Sequence, residues 1–146
     1  MFRVTQKKIT GLVHFFPFQA SSGQHSNKKY YPMEKYMFIF IGGDPSHLSA
    51  EAQQVHMQKW FAWVEQLTKE KKYVSGEALL PGGKTIRGSK KTVSDGPFAE
   101  AKEVVGGFFV VQARDMNEAV EMAKACPDYE LGGIVEVREV MKFDNM

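Results

Sequence analysis

The sequence predicts an α+β fold in which two helices cover one face of an antiparallel sheet. From residue 33 onward, apolar stretches of strand length alternate with two stretches of helical period. Pairs of Gly and Pro interrupt these stretches at short intervals, as turns do. The chain has 146 residues, of which 43% are apolar and 25% charged. This composition is typical of one globular domain and excludes a collagen, a mostly disordered chain and a membrane-spanning protein.

The first 32 residues differ in charge from the rest. They contain five basic residues and no acidic one, whereas the remainder carries 14 basic and 17 acidic residues. We therefore predict a basic, flexible extension over residues 1–32 and a domain over residues 33–146. A targeting segment or an ordered arm are the alternatives for the extension, and a translation start at Met33 is a hypothesis. The mildly acidic domain argues against direct binding of nucleic acid.

The domain begins with a strand followed by a long helix. Six consecutive apolar residues, Tyr36–Ile41, precede a Gly-Gly-Asp-Pro turn. The helix is predicted over roughly 49–71, with Ser46 or Ser49 as its cap. Apolar residues recur on it at helical spacing and predict one wide buried stripe. The stripe comprises His56, Trp60, Trp63 and Leu67, with Met57, Phe61 and Val64 as an adjacent row.

The later elements complete a βαββαβ order with a hairpin inserted in its middle. The strand with the clearest apolar pattern is Val104–Ala113. A second helix follows it and is capped by Asp115 or Asn117. This order is that of a ferredoxin-like antiparallel sheet. The predicted ranges are Tyr73–Leu80, a hairpin of Thr85–Arg87 and Lys91–Ser94, Val104–Ala113, the helix Met116–Cys126, and Ile134–Val140.

Two of the strands are apolar on both faces, which predicts a homodimer. In Val104–Ala113, Phe108 and Val110 face one side and Phe109 and Val111 the other. A half-solvated sheet should alternate, and each Phe or Val left in water costs roughly 1.5–3 kcal/mol. A chain of this length has no third layer to offer. The simplest cover is a second copy, sheet against sheet, which encloses a barrel.

Five motifs form an ordered set along the domain, namely Ser94–Glu103, Gly106–Phe109, Ser75–Leu79, Ala125–Pro127 and Val135–Arg138. Together they resemble the YCII-related family, in its branch named after the tetrapeptide Asp-Gly-Pro-Phe. The resemblance covers residues 33–140 and implies a dimeric α+β barrel. Relatives in the wider superfamily include ring-cleavage and dehydrochlorination enzymes that act on small aromatic or lactone substrates, and some of these resemble His/Asp acid–base catalysts. Domains of this branch also occur beside sigma factors, which implies an accessory role in transcription.

Asp95 and His56 are the candidate catalytic residues. Asp95 opens the Asp-Gly-Pro-Phe turn, where a carboxylate either locks the turn or acts as a base at a pocket mouth. His56 carries an imidazole, a group that suits proton transfer. Either it is a hydrogen-bonded histidine at the edge of the core, or it forms a dyad with Asp95.

Charged residues elsewhere are candidates for substrate binding. Glu136 and Arg138 are two apart on the last strand and so share one face, where they form an interface ion pair or hold an anionic substrate. The charged residues Glu100, Lys102 and Glu103 directly precede the strand Val104–Ala113. They form either a surface network or part of a pocket lining. The six candidates are Glu77, Arg87, Glu100, Lys102, Glu136 and Arg138.

Three functions remain open from the sequence. The leading one is a small-molecule-binding dimeric barrel in the cytoplasm, with no membrane contact. The second is a lyase or isomerase that uses Asp95 for proton transfer on a small anionic or aromatic substrate. The third is a partner-binding module without a ligand. Neither metal-ligand spacing nor a phosphate loop is present, so we expect no metal and no cofactor. The single cysteine, Cys126, is expected to serve packing.

Overall fold

The computed structural model describes residues 32–96 and 104–143. The predicted extension over residues 1–32 therefore lies outside the described residues apart from Pro32, as do the candidates Glu100 and Lys102. The elements are β1 (Glu34–Ile41), α1 (Ala50–Lys69), β2 (Tyr73–Ala78), β3 (Lys84–Arg87), β4 (Thr92–Asp95), β5 (Val105–Ala113), α2 (Met116–Ala123) and β6 (Ile134–Glu139), with short 3-10 helices at Pro45–His47 and Pro127–Leu131.

Four strands form one antiparallel sheet in the order β2-β5-β1-β6. Strands β3 and β4 pair separately as a two-stranded hairpin sheet. The order of the four-stranded sheet, with α1 and α2 in the crossover connections, is compatible with a ferredoxin-like fold. The predicted α+β class and the inserted hairpin are therefore present in the described part of the chain.

The two central strands bury one face beneath the helices. Phe38 on β1 pairs with Phe109 on β5, and both are buried. Their sequence neighbours Ile39 and Phe108 pair with each other on the opposite face and remain partly exposed. Successive side chains of a strand point to opposite faces, so this alternation follows directly from strand geometry.

Aromatic rings fill the space between sheet and helices. Phe109 contacts four rings at centroid distances of 4.9 to 5.6 Å, three of them edge-on or nearly so. Those rings belong to Phe40, Trp60, Trp63 and Tyr73. Edge-to-face pairs of this kind add roughly 0.5–1.5 kcal/mol each beyond the area they bury. The aromatic cluster therefore fixes how α1 lies on the sheet.

The buried stripe on helix α1 is narrower than the sequence predicts. Ser49 caps it, because its hydroxyl accepts a hydrogen bond from the Ala52 amide at 3.2 Å. His56, Trp63 and Leu67 are buried, as predicted. Met57 and Phe61 are exposed instead, Phe61 to 66%. They lie about 100° around the helix from the buried row, and the sheet covers α1 from one side only.

Helix α2 ends at Ala123, three residues before the predicted end. Its cap is Asp115, whose carboxylate accepts a hydrogen bond from the Glu118 amide at 2.8 Å. Pro127 pushes the preceding residue, Cys126, into an extended conformation, so the last turn tightens before it. A second 3-10 helix follows at Pro127–Leu131 and leads back towards α1, where it supplies part of the candidate site.

Candidate functional site

The described residues contain one buried polar side chain, His56 on α1, which is 6% exposed. Its Nε2 lies 2.9 Å from Oδ1 of Asp128, a residue of the second 3-10 helix. The Asp128 side chain is itself only 14% exposed. A buried histidine bonded to a partly buried carboxylate is an arrangement that can orient an imidazole for proton transfer.

The Asp128 carboxylate, which can only accept hydrogen bonds, indicates which nitrogen of His56 carries a hydrogen. Trp60 Nε1 lies 3.1 Å from Asp128 Oδ1 and 3.3 Å from His56 Nε2. An indole N–H can only donate, and a carboxylate oxygen can accept from two donors. Asp128 therefore accepts hydrogen bonds from both Trp60 Nε1–H and His56 Nε2–H. This assignment leaves Nδ1 as the basic nitrogen of a neutral imidazole.

Nδ1 of His56 is not completely buried. It forms no hydrogen bond within the described residues. Yet no buried side-chain nitrogen or oxygen in the described ranges lacks a hydrogen-bond partner. Nδ1 must therefore be reached by water, which fits the position of His56 in the wall of a groove.

The groove lies between the first half of α1 and the second 3-10 helix and has a volume of about 400 Å³. We call it the α1 groove. Its walls are mostly apolar, and its polar groups are His56 and an ion pair. The lining residues are Leu48, Ala52, Val55, His56, Lys59, Glu130 and Leu131. The groove is open to solvent, and Val55 in its wall is 53% exposed.

Lys59 and Glu130 form the ion pair across the α1 groove. Lys59 Nζ donates to both carboxylate oxygens of Glu130, at 2.7 and 2.6 Å. These hydrogen bonds, together with the charge of Lys59, hold the pKa of Glu130 below its ordinary value. Lys59 is three residues after His56, so both side chains project from one side of α1.

Two glycines hold the Asp128 carboxylate in place. A Cβ added at Gly43 would lie 2.8 Å from the Cβ of Asp128, and one added at Gly133 would lie 2.7 Å from it. Gly43 also has a φ of +70°, a conformation that glycine adopts without strain. The amide of Gly133 donates to the carbonyl of Asp128 at 2.8 Å. Backbone therefore packs directly against the residue that orients His56.

The structure pairs His56 with Asp128, whereas a dyad with Asp95 was one of the two alternatives that the sequence left open for His56. Asp95 lies at the end of β4, where its exposed carboxylate forms an ion pair with Lys84 across the hairpin. Arg87, on the same hairpin, reaches the Ser94 hydroxyl at 3.4 Å. A catalytic role for Asp95 and a binding role for Arg87 stay predictions.

Three other candidates share the sheet face that the helices leave open. Glu136 pairs in register with Ile39, Arg138 with Met37, and Glu77 with Phe108. The intervening residues of β6, Val135 and Val137, pack against the core, as predicted. The open face therefore gathers Glu77, Glu136 and Arg138 around apolar side chains, whereas His56 lies on the helical side of the sheet.

Sequence reasoning missed four residues of this site, namely Asp128, Trp60, Lys59 and Glu130. The sequence predicts Trp60 as a core residue only, and no pattern distinguishes Lys59 and Glu130 from ordinary surface charges. The available signal for Asp128 was an acidic residue directly after a helix-ending proline. Because 72 positions separate it from His56, no local pattern joins the two.

The described ranges contain no helix long and apolar enough to cross a membrane. Nor do they contain a cluster of three or more His, Cys, Asp or Glu side chains placed to hold a metal ion. A comparison with curated proteins found no match. A family model describing the YCII-related domain matches residues 35–144, about three-quarters of the chain. The chain therefore belongs to the YCII-related family.

Proposed function

We propose that the protein catalyses proton transfer on a small molecule bound in the α1 groove, with His56 as the base. The observation that carries this proposal is the largely buried His56–Asp128 pair at 2.9 Å, whose second imidazole nitrogen has no hydrogen-bond partner within the described residues. Lyase and isomerase reactions that begin with removal of a proton need such a group.

Asp128 contributes in two ways. By accepting the Nε2–H of His56 it keeps the imidazole in the tautomer whose Nδ1 is basic. When Nδ1 takes a proton, the imidazolium lies against a carboxylate that compensates its charge. Trp60 Nε1–H donates a second hydrogen bond to the same carboxylate oxygen and so restrains the Asp128 side chain. The proton acceptor of this proposal is thus His56 rather than Asp95.

The test is hydrogen–deuterium exchange of small carbon acids in D2O, followed by the loss of their C–H signals in NMR spectra. His56→Gln should lower the exchange rate by roughly 10²–10⁴-fold, and Asp128→Asn should lower it less. His47→Gln is the matched control, since His47 is exposed and outside the groove lining. Exchange that persists unchanged in His56→Gln would contradict the proposal.

We further infer that the protein is a homodimer whose sheets face each other and enclose a barrel. Partly exposed apolar side chains on the open sheet face support this, namely Met37, Ile39, Phe108 and Val110. The barrel would then bring Glu77, Glu136 and Arg138 to an enclosed space suited to a small ligand. This is the second candidate site.

Sedimentation velocity at falling protein concentration tests the dimer. The wild type should sediment as a dimer, and Ile39→Lys should sediment as a folded monomer because the lysine would be buried at the centre of the contact. Phe61→Lys is the matched control, since Phe61 is exposed on the opposite side of the molecule, on α1. A folded wild-type monomer at all concentrations would refute the dimer.

A further inference from the structure

The ion pair formed by Lys59 and Glu130 lines the α1 groove together with His56. Both side chains line the same groove, and Lys59 follows His56 by one helical turn on α1. Residues at this spacing have their Cβ atoms roughly 5–6 Å apart. One small molecule in the groove can therefore contact both the His56 imidazole and the Lys59 ammonium.

Lys59 can donate a hydrogen bond to a ligand while it is paired with Glu130. An ammonium group has three N–H donors, and the two short contacts to Glu130 account for two of them. Both side chains are about half exposed, at 46% for Lys59 and 60% for Glu130, so their pair is weak enough to rearrange. An anionic oxygen in the groove could take the third donor or displace one Glu130 oxygen.

We propose that Lys59 stabilises the oxyanion of an enolate, and that the α1 groove takes small, largely apolar carbonyl compounds with an acidic α-proton. The inference rests on the proposed role of His56 and names its substrate class. Removing a proton next to a carbonyl generates negative charge on the carbonyl oxygen, and a cation positioned there lowers the barrier. The apolar walls formed by Leu48, Val55 and Leu131 suit the rest of such a molecule.

The formation of the enolate needs only a proton acceptor and a hydrogen-bond donor, and the groove supplies both. Nδ1 of His56 takes the α-proton, and the electron pair of the broken C–H bond forms a double bond between the α-carbon and the carbonyl carbon. The carbonyl π pair moves to oxygen, which accepts a hydrogen bond from Lys59 Nζ. Return of a proton from His56 to carbon restores the carbonyl, so deuterium from solvent is incorporated without net reaction.

A phenolate resembles the enolate in charge and planarity, so 4-nitrophenol is the probe. It should bind saturably as the coloured phenolate at a pH where the free probe is mostly neutral. Lys59→Met should weaken this binding roughly fivefold, and Glu130→Gln should strengthen it by a similar factor because a repelling carboxylate is lost. A purely structural role for the pair would weaken binding in both variants.

Lys69→Met is the matched control, because Lys69 lies on the same helix and pairs with its own carboxylate, Glu65, at 2.7 Å. It should bind the phenolate as the wild type does. His56→Gln should also retain the phenolate while losing deuterium exchange, which separates this inference from the proposed function.

The exchange assay gives the second readout. Lys59→Met should lower the His56-dependent exchange of small ketones and lactones roughly 10²-fold. Three results would overturn the inference: absence of saturable phenolate binding, phenolate binding that is unchanged in Lys59→Met, or failure of the wild type to exchange any carbonyl compound tested. In the first two cases His56-dependent exchange of other carbon acids would leave the proposed function standing.

Discussion

Replacing Glu118 with Gln should destabilise the protein at neutral pH and have little effect near pH 2. Glu118 lies in the first turn of α2, and one of its oxygens accepts the Arg114 amide at 2.6 Å. The other oxygen accepts Lys72 Nζ at 2.8 Å, which ties the start of α2 to the start of β2. The carboxylate thus links these two element ends.

The size of the effect follows from the pKa of Glu118. Burial raises this pKa, but the hydrogen bonds from Arg114 and Lys72 outweigh it and lower the pKa from 4.5 to about 2. A shift of this size corresponds to at most about 3 kcal/mol. Solvent screens the exposed edge of the pair, which reduces the contribution to about 1–2 kcal/mol.

The sign of the pH dependence follows from the direction of the shift. A carboxyl group with a lowered pKa in the folded state stabilises the fold above the unfolded pKa. The contribution of Glu118 is therefore complete above about pH 4.5 and is lost as the pH falls towards 2. The wild type should therefore have a larger free energy of unfolding than Glu118→Gln above about pH 4.5, and this difference should shrink as the pH falls towards 2.

Urea unfolding followed by tryptophan fluorescence at several pH values measures the difference. Glu121→Gln is the matched control, because Glu121 lies on the same helix in an exposed pair with Lys124 and should matter by less than about 0.5 kcal/mol. A difference between wild type and Glu118→Gln that stayed constant from pH 7 to pH 2 would refute the linkage. Equal stability at pH 7 would refute the role of the hydrogen bonds.

Three further predictions concern packing and chemistry. Gly76→Ala should destabilise the fold by about 1–3 kcal/mol, because the added Cβ would lie 2.2 Å from a ring carbon of Phe109; Gly106→Ala, with no atom within 4 Å of its Cβ, is the control in the same urea titration. Cys126 should react with a thiol reagent only on unfolding, since burial raises its pKa to about 12, and rapid labelling of the native protein would contradict this. Ser49→Ala should cost about 1 kcal/mol through loss of the α1 cap, and an unchanged unfolding midpoint would disprove it.

Local patterns were sufficient for most of the element order. Strands, helices and their caps depend on neighbours a few positions away, which explains why Ser49 and Asp115 could be named as cap candidates from the sequence. The alternation of Phe108 and Phe109 between the two sheet faces follows from strand geometry alone. The limits of α2 were less accurate, because they depend on how the chain tightens before Pro127.

The exposed row on α1 shows where such patterns stop being informative. Met57 and Phe61 have the spacing of core residues, but they are exposed. Periodicity indicates which residues share a side of a helix, and the sheet that covers only part of that side decides which of them are buried. The width of the buried stripe is thus a property of the packed layers.

By itself, the sequence determined that this chain forms an antiparallel α+β domain and that His56 lies on the inward side of its long helix. Only the tertiary structure decided that the carboxylate bonded to His56 belongs to Asp128 and that Lys59 and Glu130 close the same groove. The reason is physical: helical and strand periods act over a few residues, whereas the contact between His56 and Asp128 spans 72 positions and depends on where the second 3-10 helix packs against α1.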